Sequence, residues 1–145
     1  VLAVAEWHPN VGTPASEAFY AAFRARFPNP QDDYVHARMQ VMIEMLVAAM
    51  ERSRSTDATA IARALEGMAL DAATLGGLHQ GWMRAADHQF IQPLIVSVME
   101  RAGAPGVVHD NEGSGYGFKT VRQLAPRQTE QPTRCVMERP AKETP

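Results

Sequence analysis

The segment YVHARMQVMIEMLVAAMER, from Tyr34 to Arg52, has the strongest helical pattern in the chain. At 100° per residue, one face collects the apolar residues Val35, Met39, Met42, Met45, Leu46 and Ala49, with Val41, Ile43 and Met50 on its flanks. The polar stripe formed by Gln40, Glu44 and Glu51 is narrow. The pattern predicts a helix that packs against more than one neighbour, because a helix apolar on so many sides is normally covered on all of them.

A helix is also predicted before this segment, from Pro14 to Phe27. Thr13 is a good N-cap, and Pro14 is a good first helical residue. The helix should end where Pro28 and Pro30 prevent its continuation. One aromatic face is expected, because aromatic residues fall three or four positions apart: Phe19, Phe23 and Phe27, with Tyr20 beside them.

A third helix is predicted after the polar segment RSRSTD, from Ala58 to about Met68. Ser55 or Asp57 can cap its N-terminus, since both side chains accept hydrogen bonds from backbone N–H groups. Glycines interrupt the chain beyond this helix, so regular helical structure is expected to stop there.

The segment GWMRAADHQFIQPLIV, residues 81–96, allows two interpretations. A catalytic pair of Asp87 and His88 is awkward, because neighbouring residues on a strand point to opposite faces. The favoured interpretation is a turn between two strands, in which Asp87 hydrogen-bonds its own backbone. The run FIQPLIVSVMER after Gln89 predicts a mostly buried strand with Pro93 near its start.

From Val107 onward the chain is predicted to be loop-like, because turn residues are frequent and periodicity is almost absent. The sequence therefore divides into a helical segment (1–75), a hairpin with a crossover strand (76–106) and an extended C-terminal tail (107–145). Three helices and two or three strands provide little to cover the long apolar helix. The expected fold class is α/β, with most of the sheet strands outside this chain.

Composition limits the possible functions. The chain has 145 residues, 46% of them apolar and 21% charged, which is ordinary for a globular domain. Its net charge of −2 predicts no electrostatic attraction to nucleic acid. No run of apolar residues is long enough for a membrane span, and no signal peptide is evident. A first residue of Val1 suggests a mature, trimmed or excised chain.

The motifs of common catalytic and metal sites are missing from the sequence. Its five histidines are scattered, without the spacing of a metal site. There is no Gly-x-Ser-x-Gly elbow and no phosphate-binding glycine loop with a lysine. No catalytic residue, metal ligand or cofactor is therefore predicted. An enzyme that uses Asp87 or His88 is retained only as a minor alternative.

Two places could contribute to a binding site. In the segment EWHP, Trp7 and His8 could line a pocket, although a simply packed tryptophan is the more common case. At the start of the long helix, Tyr34 and His36 lie in the first turn, where backbone N–H groups can meet an anionic ligand. A capped helix with solvated polar residues is the simpler explanation there.

The order of these motifs resembles a known family. The segments are WHP, then YVHARMQVMIEMLVAAMERSRSTDATAIARALEG, then RAADHQFIQPLIVSVM and finally CVMERP. Together they resemble the C-terminal portion of periplasmic solute-binding proteins of the branched-chain amino acid (Leu/Ile/Val-type) ABC transporters. The resemblance covers nearly the whole chain, and its most specific part is the stretch RAADHQ, residues 84–89, after the third helix.

The resemblance implies a fragment of a two-lobe, type I periplasmic binding protein that clamps its ligand in the cleft between the lobes. The helices from Pro14 to Met68 would belong to the N-terminal lobe, and the stretch RAADHQ would lead through a crossover into the other lobe. The sheet that covers the long helix would then come from the missing N-terminal part. In many relatives the tail cysteine is tied to a distant cysteine, but Cys135 is the only cysteine here.

The implied function is solute binding for an ABC importer of branched-chain amino acids or related aromatic and aliphatic carboxylates, without catalysis. The implied location is the periplasm. The expected partners are a small-molecule ligand, a membrane permease, and the missing N-terminal part or a second copy. His8, Tyr34 and Met39 are the predicted ligand-binding residues. A small helical dimerising or ligand-sensing module, with no transport role, remains the alternative.

Overall fold

The computed structural model describes residues 2–30 and 36–141, without the side chain of His36. These residues form four helices and two small sheets, which agrees with the predicted α/β class. In chain order the elements are β1 (Leu2–Ala5), α1 (Pro14–Arg26), α2 (His36–Ser53), α3 (Ala58–Leu65), β2 (Ala69–Leu70), β3 (Gly81–Met83), β4 (Phe90–Ile91), β5 (Leu94–Arg101), β6 (Tyr116–Leu124) and α4 (Pro126–Thr129).

The first sheet, sheet A, has the antiparallel order β1-β5-β6. Its central strand β5 pairs Leu2 with Val98 on one side and Arg101 with Tyr116 on the other. The register shifts between Val96 and Ser97, where a β-bulge interrupts the ladder. Ile95 and Ser97 are the buried residues of β5, whereas Met99 and Arg101 beyond the bulge are exposed, so the first half of β5 provides its core contacts.

The strand β6 corrects the prediction that the chain is loop-like from Val107 onward. The turn-rich residues 102–115 connect β5 to β6, and the nine residues Tyr116–Leu124 then pair along the full length of β5. Sequence periodicity was weak there because β6 is an edge strand with exposed residues on both faces. The tail beyond it also contains the short helix α4 before it becomes extended.

The loop after β1 and helix α1 cover one side of sheet A. Thr13 caps α1 by accepting a hydrogen bond from the Ser16 backbone N–H, as predicted. Asn10 joins the loop to the β5–β6 connection through two hydrogen bonds with the backbone of His109, each 2.7 Å long. These contacts join positions 99 residues apart, so they hold the loop after β1 against the connection between β5 and β6.

The second sheet, sheet B, has the antiparallel order β2-β3-β4 and packs beside α2 and α3. Asp57 caps α3 through a bond from the Ala60 N–H, as one of the two predicted caps. Met45, Ala49 and Met68 are the buried residues of the core between these elements. Partly buried apolar side chains packed against them are Val41, Ile61, Ala64, Leu65, Leu70, Met83 and Phe90.

Residues 84–89 form the turn between β3 and β4, as the sequence predicted. The Arg84 N–H donates to the Gln89 carbonyl and the His88 N–H donates to the Arg84 carbonyl, both at 2.9 Å. Asp87 accepts from the Gln89 N–H at 3.2 Å, which is the expected bond between an aspartate and its own turn. The predicted single strand after Gln89 is divided into β4 and β5 on the two sides of Pro93.

Helix α2 keeps an uncovered apolar face among the described residues, as its sequence pattern predicted. Met45 is 5% exposed and Ala49 is fully buried against the core. Five large apolar side chains of the same helix are between 42% and 55% exposed: Met39, Met42, Ile43, Leu46 and Val47. We call these five residues the open face of α2. Among the described residues, no helix is long and apolar enough to span a membrane.

Candidate functional site

An open groove of about 540 Å³ runs between α2, sheet B and the loop that contains Gly76. Its floor is the core described above, because Met45, Met83 and Phe90 line it. The open face of α2 contributes Met42 and Leu46 to one wall. The groove is therefore mostly apolar, as expected for a pocket that takes an apolar group or for a face that another layer of protein covers.

One end of the groove is polar. Arg38, in the first turns of α2, forms an ion pair with Glu6, which directly follows β1. Burial raises the pKa of Glu6, but the hydrogen bond from Arg38 and a backbone hydrogen bond outweigh this effect, and its pKa lies below the usual value. Glu6 is therefore ionised at neutral pH. The pair places one positive and one negative group at the mouth of an apolar groove.

Trp7 forms the wall beside this ion pair. Its Nε1 donates to Ser16 Oγ at 2.9 Å, and its ring meets the ring of Phe19 edge to face, with centroids 5.5 Å apart. A Cβ at Gly76 would lie 3.2 Å from Trp7 Cδ1, so the glycine lets the loop approach the indole ring closely. The segment EWHP thus contributes to the groove through Trp7, which is fixed by α1.

His8 points away from this groove and into the protein. It is 4% exposed, its Nδ1 accepts from the Asn10 N–H at 3.1 Å, and its Nε2 lies 3.0 Å from Thr120 Oγ1. Burial lowers the pKa of His8 to about 4, so the ring is neutral at pH 7. Both ring nitrogens have partners within the chain. These contacts favour a structural role, and the predicted ligand contact of His8 stays a prediction.

The other two predicted binding residues are less well placed for a test. Met39 lies on the open face of α2 and is 49% exposed, so it is accessible to a ligand or to another protein layer. Tyr34 lies outside the described residues. Sequence reasoning missed the pair of Glu6 and Arg38, because nothing in a sequence marks an ion pair between residues 32 positions apart.

Asp87 and His88 are neighbours in the turn, but their side chains have different partners. The guanidinium of Arg84 binds both carboxylate oxygens of Asp87, at 2.9 and 2.6 Å, and holds the pKa of Asp87 well below its usual range. His88 Nε2 donates to Glu66 Oε1 at 3.1 Å instead. Each side chain therefore has a partner that explains its position in the fold, which supports the turn interpretation over a catalytic pair.

The comparison with family models decides the relationship. A model described as periplasmic binding protein matches residues 1–104, which is more than two thirds of the chain. The chain belongs to the periplasmic binding protein family. This agrees with the resemblance found in the sequence. A search of curated protein sequences found no match.

Solved structures share the fold of this periplasmic binding protein chain. The leucine-, isoleucine-, valine-, threonine- and alanine-binding protein of Brucella ovis, in its closed conformation, is 20% identical with a TM-score of 0.77, and the match covers 96% of this chain and 35% of that one. A second structure is a solute-binding protein of an ABC transporter from Rhodopseudomonas palustris, in complex with 3,4-dihydroxybenzoic acid. It is 11% identical with a TM-score of 0.61, and the match covers 87% of this chain and 31% of that one.

A third structure is an ABC-type branched-chain amino acid transporter protein from Rhodopseudomonas palustris, at 18% identity and a TM-score of 0.59, covering 88% of this chain and 31% of that one. The chain therefore spans about one third of the length of these structures. At these identities the likeness establishes the fold, which is part of a type I periplasmic binding protein.

Proposed function

We propose that this chain is part of a periplasmic solute-binding protein that delivers a small carboxylate to the permease of an ABC importer. The observation that carries the proposal is the family match over residues 1–104. Amino acids with apolar side chains, and aromatic carboxylates, are the ligands to test first. In this role the protein binds and releases its solute without catalysis.

The groove supports this choice of ligand class. Its walls are apolar, and Glu6 and Arg38 offer one charge of each sign at its mouth. An amino acid carries an ammonium and a carboxylate next to an apolar side chain, so its charges complement such a mouth. Met39, near the start of α2, and Tyr34 remain proposed ligand contacts. Closure over a ligand requires that the ligand bind the closed state more tightly than the open state.

The open face of α2 supports the proposal that the rest of the protein completes the site. Met42 and Leu46 are exposed and yet line the groove, so a further layer placed on them would also close the groove. A pocket binds a small ligand well when it surrounds most of the ligand surface. The described part of the chain leaves the groove open on one side, and we expect the 145-residue chain to bind the solute weakly.

The test is isothermal titration calorimetry of leucine, valine and 3,4-dihydroxybenzoate, with the 145-residue chain and with the full-length protein encoded by its gene. We expect micromolar binding of at least one solute to the full-length protein, and weak or undetectable binding to the 145-residue chain. A full-length Arg38→Gln variant should bind more weakly, whereas Arg122→Gln, on the exposed strand β6, should not change the affinity. No binding of any of these solutes by the full-length protein would overturn the proposed ligand class.

The alternative is a dimerising module in which two copies cover each other's open face. The exposure of Met39, Ile43 and Val47 favours it, because monomers rarely leave so much apolar surface on one helix. Analytical ultracentrifugation of the 145-residue chain and of a Ile43→Lys variant discriminates the two functions. Two results together would favour the dimerising module. The wild-type chain would be a dimer that the Ile43→Lys substitution converts into a monomer, and the full-length protein would bind no solute.

A further inference from the structure

The extended residues 130–141 lie across the turn between β3 and β4 and the end of α3. We propose that this segment, here called the C-terminal strap, is held against α3 and the turn by ion pairs and ties sheet A to α3 and sheet B. The inference does not depend on the proposed function. Between the strap and α3 lies a groove of about 300 Å³. Residues 137–140 of the strap line one side of it, and the α3 side is lined by Ala58, Thr59, Ala62, Arg63 and Glu66.

The first anchor of the strap is Arg84. Its Nη1 donates to the Gln131 carbonyl at 2.6 Å and lies 3.6 Å from a carboxylate oxygen of Glu130. The same guanidinium is fixed by two bonds to Asp87, and the side chains of Arg84 and Asp87 are only 13% and 11% exposed. A bidentate pair with this geometry orients the remaining N–H groups, so Arg84 presents a preformed donor to the strap.

The second anchor is Glu66, at the end of α3. Its Oε1 accepts from Arg139 Nε at 2.8 Å and from His88 Nε2 at 3.1 Å. Arg139 also donates to the Ala85 carbonyl in the turn. Arg63 donates from α3 to the Pro140 carbonyl at 2.5 Å. One carboxylate of α3 therefore binds the turn and the strap at the same time.

The two anchors differ in strength. The side chain of Arg139 is 41% exposed, compared with 13% for Arg84. Exposed ion pairs contribute little and are screened by salt. At the first anchor the mostly buried guanidinium of Arg84 instead donates to the neutral Gln131 carbonyl, and salt affects this hydrogen bond less. The strap should therefore detach first at its Arg139 end and remain attached near Gln131. Detachment of that end releases Glu66 and leaves the groove open.

The position of the strap in the chain gives this contact a structural consequence. The strap follows β6, which belongs to sheet A, and its path is fixed at the start by a bond from Thr129 Oγ1 to the Gln92 carbonyl, 2.9 Å long. Its anchors Arg84 and Glu66 lie on sheet B and α3. The strap thus adds a noncovalent link between parts of the fold that the backbone joins directly at residues 92–93.

Cys135 makes the strap directly testable, because it is the only cysteine of the chain and it is exposed between the two anchors. A nitroxide label on Cys135 reports the mobility of the strap by electron paramagnetic resonance. At low ionic strength we expect a mostly restricted spectrum. In about 1 M NaCl, where screening acts over a few ångströms, the mobile component should become the larger one.

Variants of the weaker anchor should reproduce the effect of salt at low ionic strength. We expect Arg139→Gln and Glu66→Gln each to raise the mobile component at least twofold, and the control Arg122→Gln to leave the spectrum unchanged. Far-UV circular dichroism establishes that each variant is folded, and the salt titration of the wild-type chain requires no variant. A label that is equally mobile in low and high salt would overturn the strap, as would equal spectra for Arg139→Gln and the control.

Discussion

The buried His8 makes the stability of this protein depend on pH. The folded pKa of His8 is lowered to about 4 by burial, compared with 6.5 in an unfolded chain. A neutral ring accepts the Asn10 N–H at Nδ1 and can donate from Nε2 to Thr120. Protonation of Nδ1 would place two N–H groups against each other and add a charge to a buried site.

The direction and size of the effect follow from these two pKa values. Below pH 6.5 His8 binds a proton in the unfolded chain but stays neutral in the folded chain. The stabilising effect of the neutral, buried His8 is therefore fully present above pH 6.5 and is lost as the pH falls toward 4. Between pH 7.5 and pH 5 the free energy of unfolding should fall by about 2 kcal/mol. Glu6, Glu66 and Asp87 also have lowered pKa values, but their contributions are lost only at lower pH, as the pH falls through the acidic range.

The assay is urea unfolding at several pH values between 5 and 7.5, with His8→Gln as the matched variant. Glutamine has a similar length, offers an acceptor and a donor, and does not titrate. We expect the variant to be less stable than the wild type at pH 7.5 and to lose most of the dependence on pH in this range. A variant whose stability falls with pH as steeply as that of the wild type would refute the role of His8.

Three further changes test the packing. Gly117→Ala would place a Cβ 2.2 Å from the His109 carbonyl oxygen, so we expect the free energy of unfolding to fall by about 1–3 kcal/mol. An unchanged midpoint in urea unfolding would contradict the register of β6. Ser97→Ala removes a buried hydroxyl without a hydrogen-bond partner in the described structure, so thermal unfolding should show equal or slightly higher stability, about 0–1 kcal/mol. Met45→Ala should lower the free energy of unfolding by about 2–3 kcal/mol, because Met45 is buried. Ile43→Ala, on the open face of α2, should lower it by less than about 0.5 kcal/mol. Equal losses for the two variants in thermal unfolding would mean that α2 is packed differently.

Local patterns in the sequence were sufficient to predict the three longer helices and the turn, but not the short helix α4. Thr13 and Asp57 are caps, and a cap acts on backbone groups two or three residues away. Asp87 likewise bonds within its own turn. The strongly apolar pattern of α2 also predicted a helix that stays partly uncovered. The sequence is enough for this, because it indicates both how many sides of the helix are apolar and how few other elements could pack against them.

Contacts between distant residues were beyond such reasoning. The pairing of β5 with β6, the pair of Glu6 and Arg38, and the link from Asn10 to His109 each join residues that no local pattern relates. The strand β6 was missed because an edge strand needs only one neighbour and tolerates polar residues on both faces. His8 was predicted to bind a ligand, and only the fold reveals that Thr120 and Asn10 engage both of its nitrogens.

The sequence by itself therefore determined the three longer helices, the position of the turn and the presence of an uncovered apolar face. Only the tertiary structure decided which side chains meet at the groove, which charges anchor the strap and which histidine is buried. The physical reason is range. Capping, turn formation and amphipathicity act over a few residues of backbone, whereas burial and ion pairing depend on how the whole chain folds back on itself.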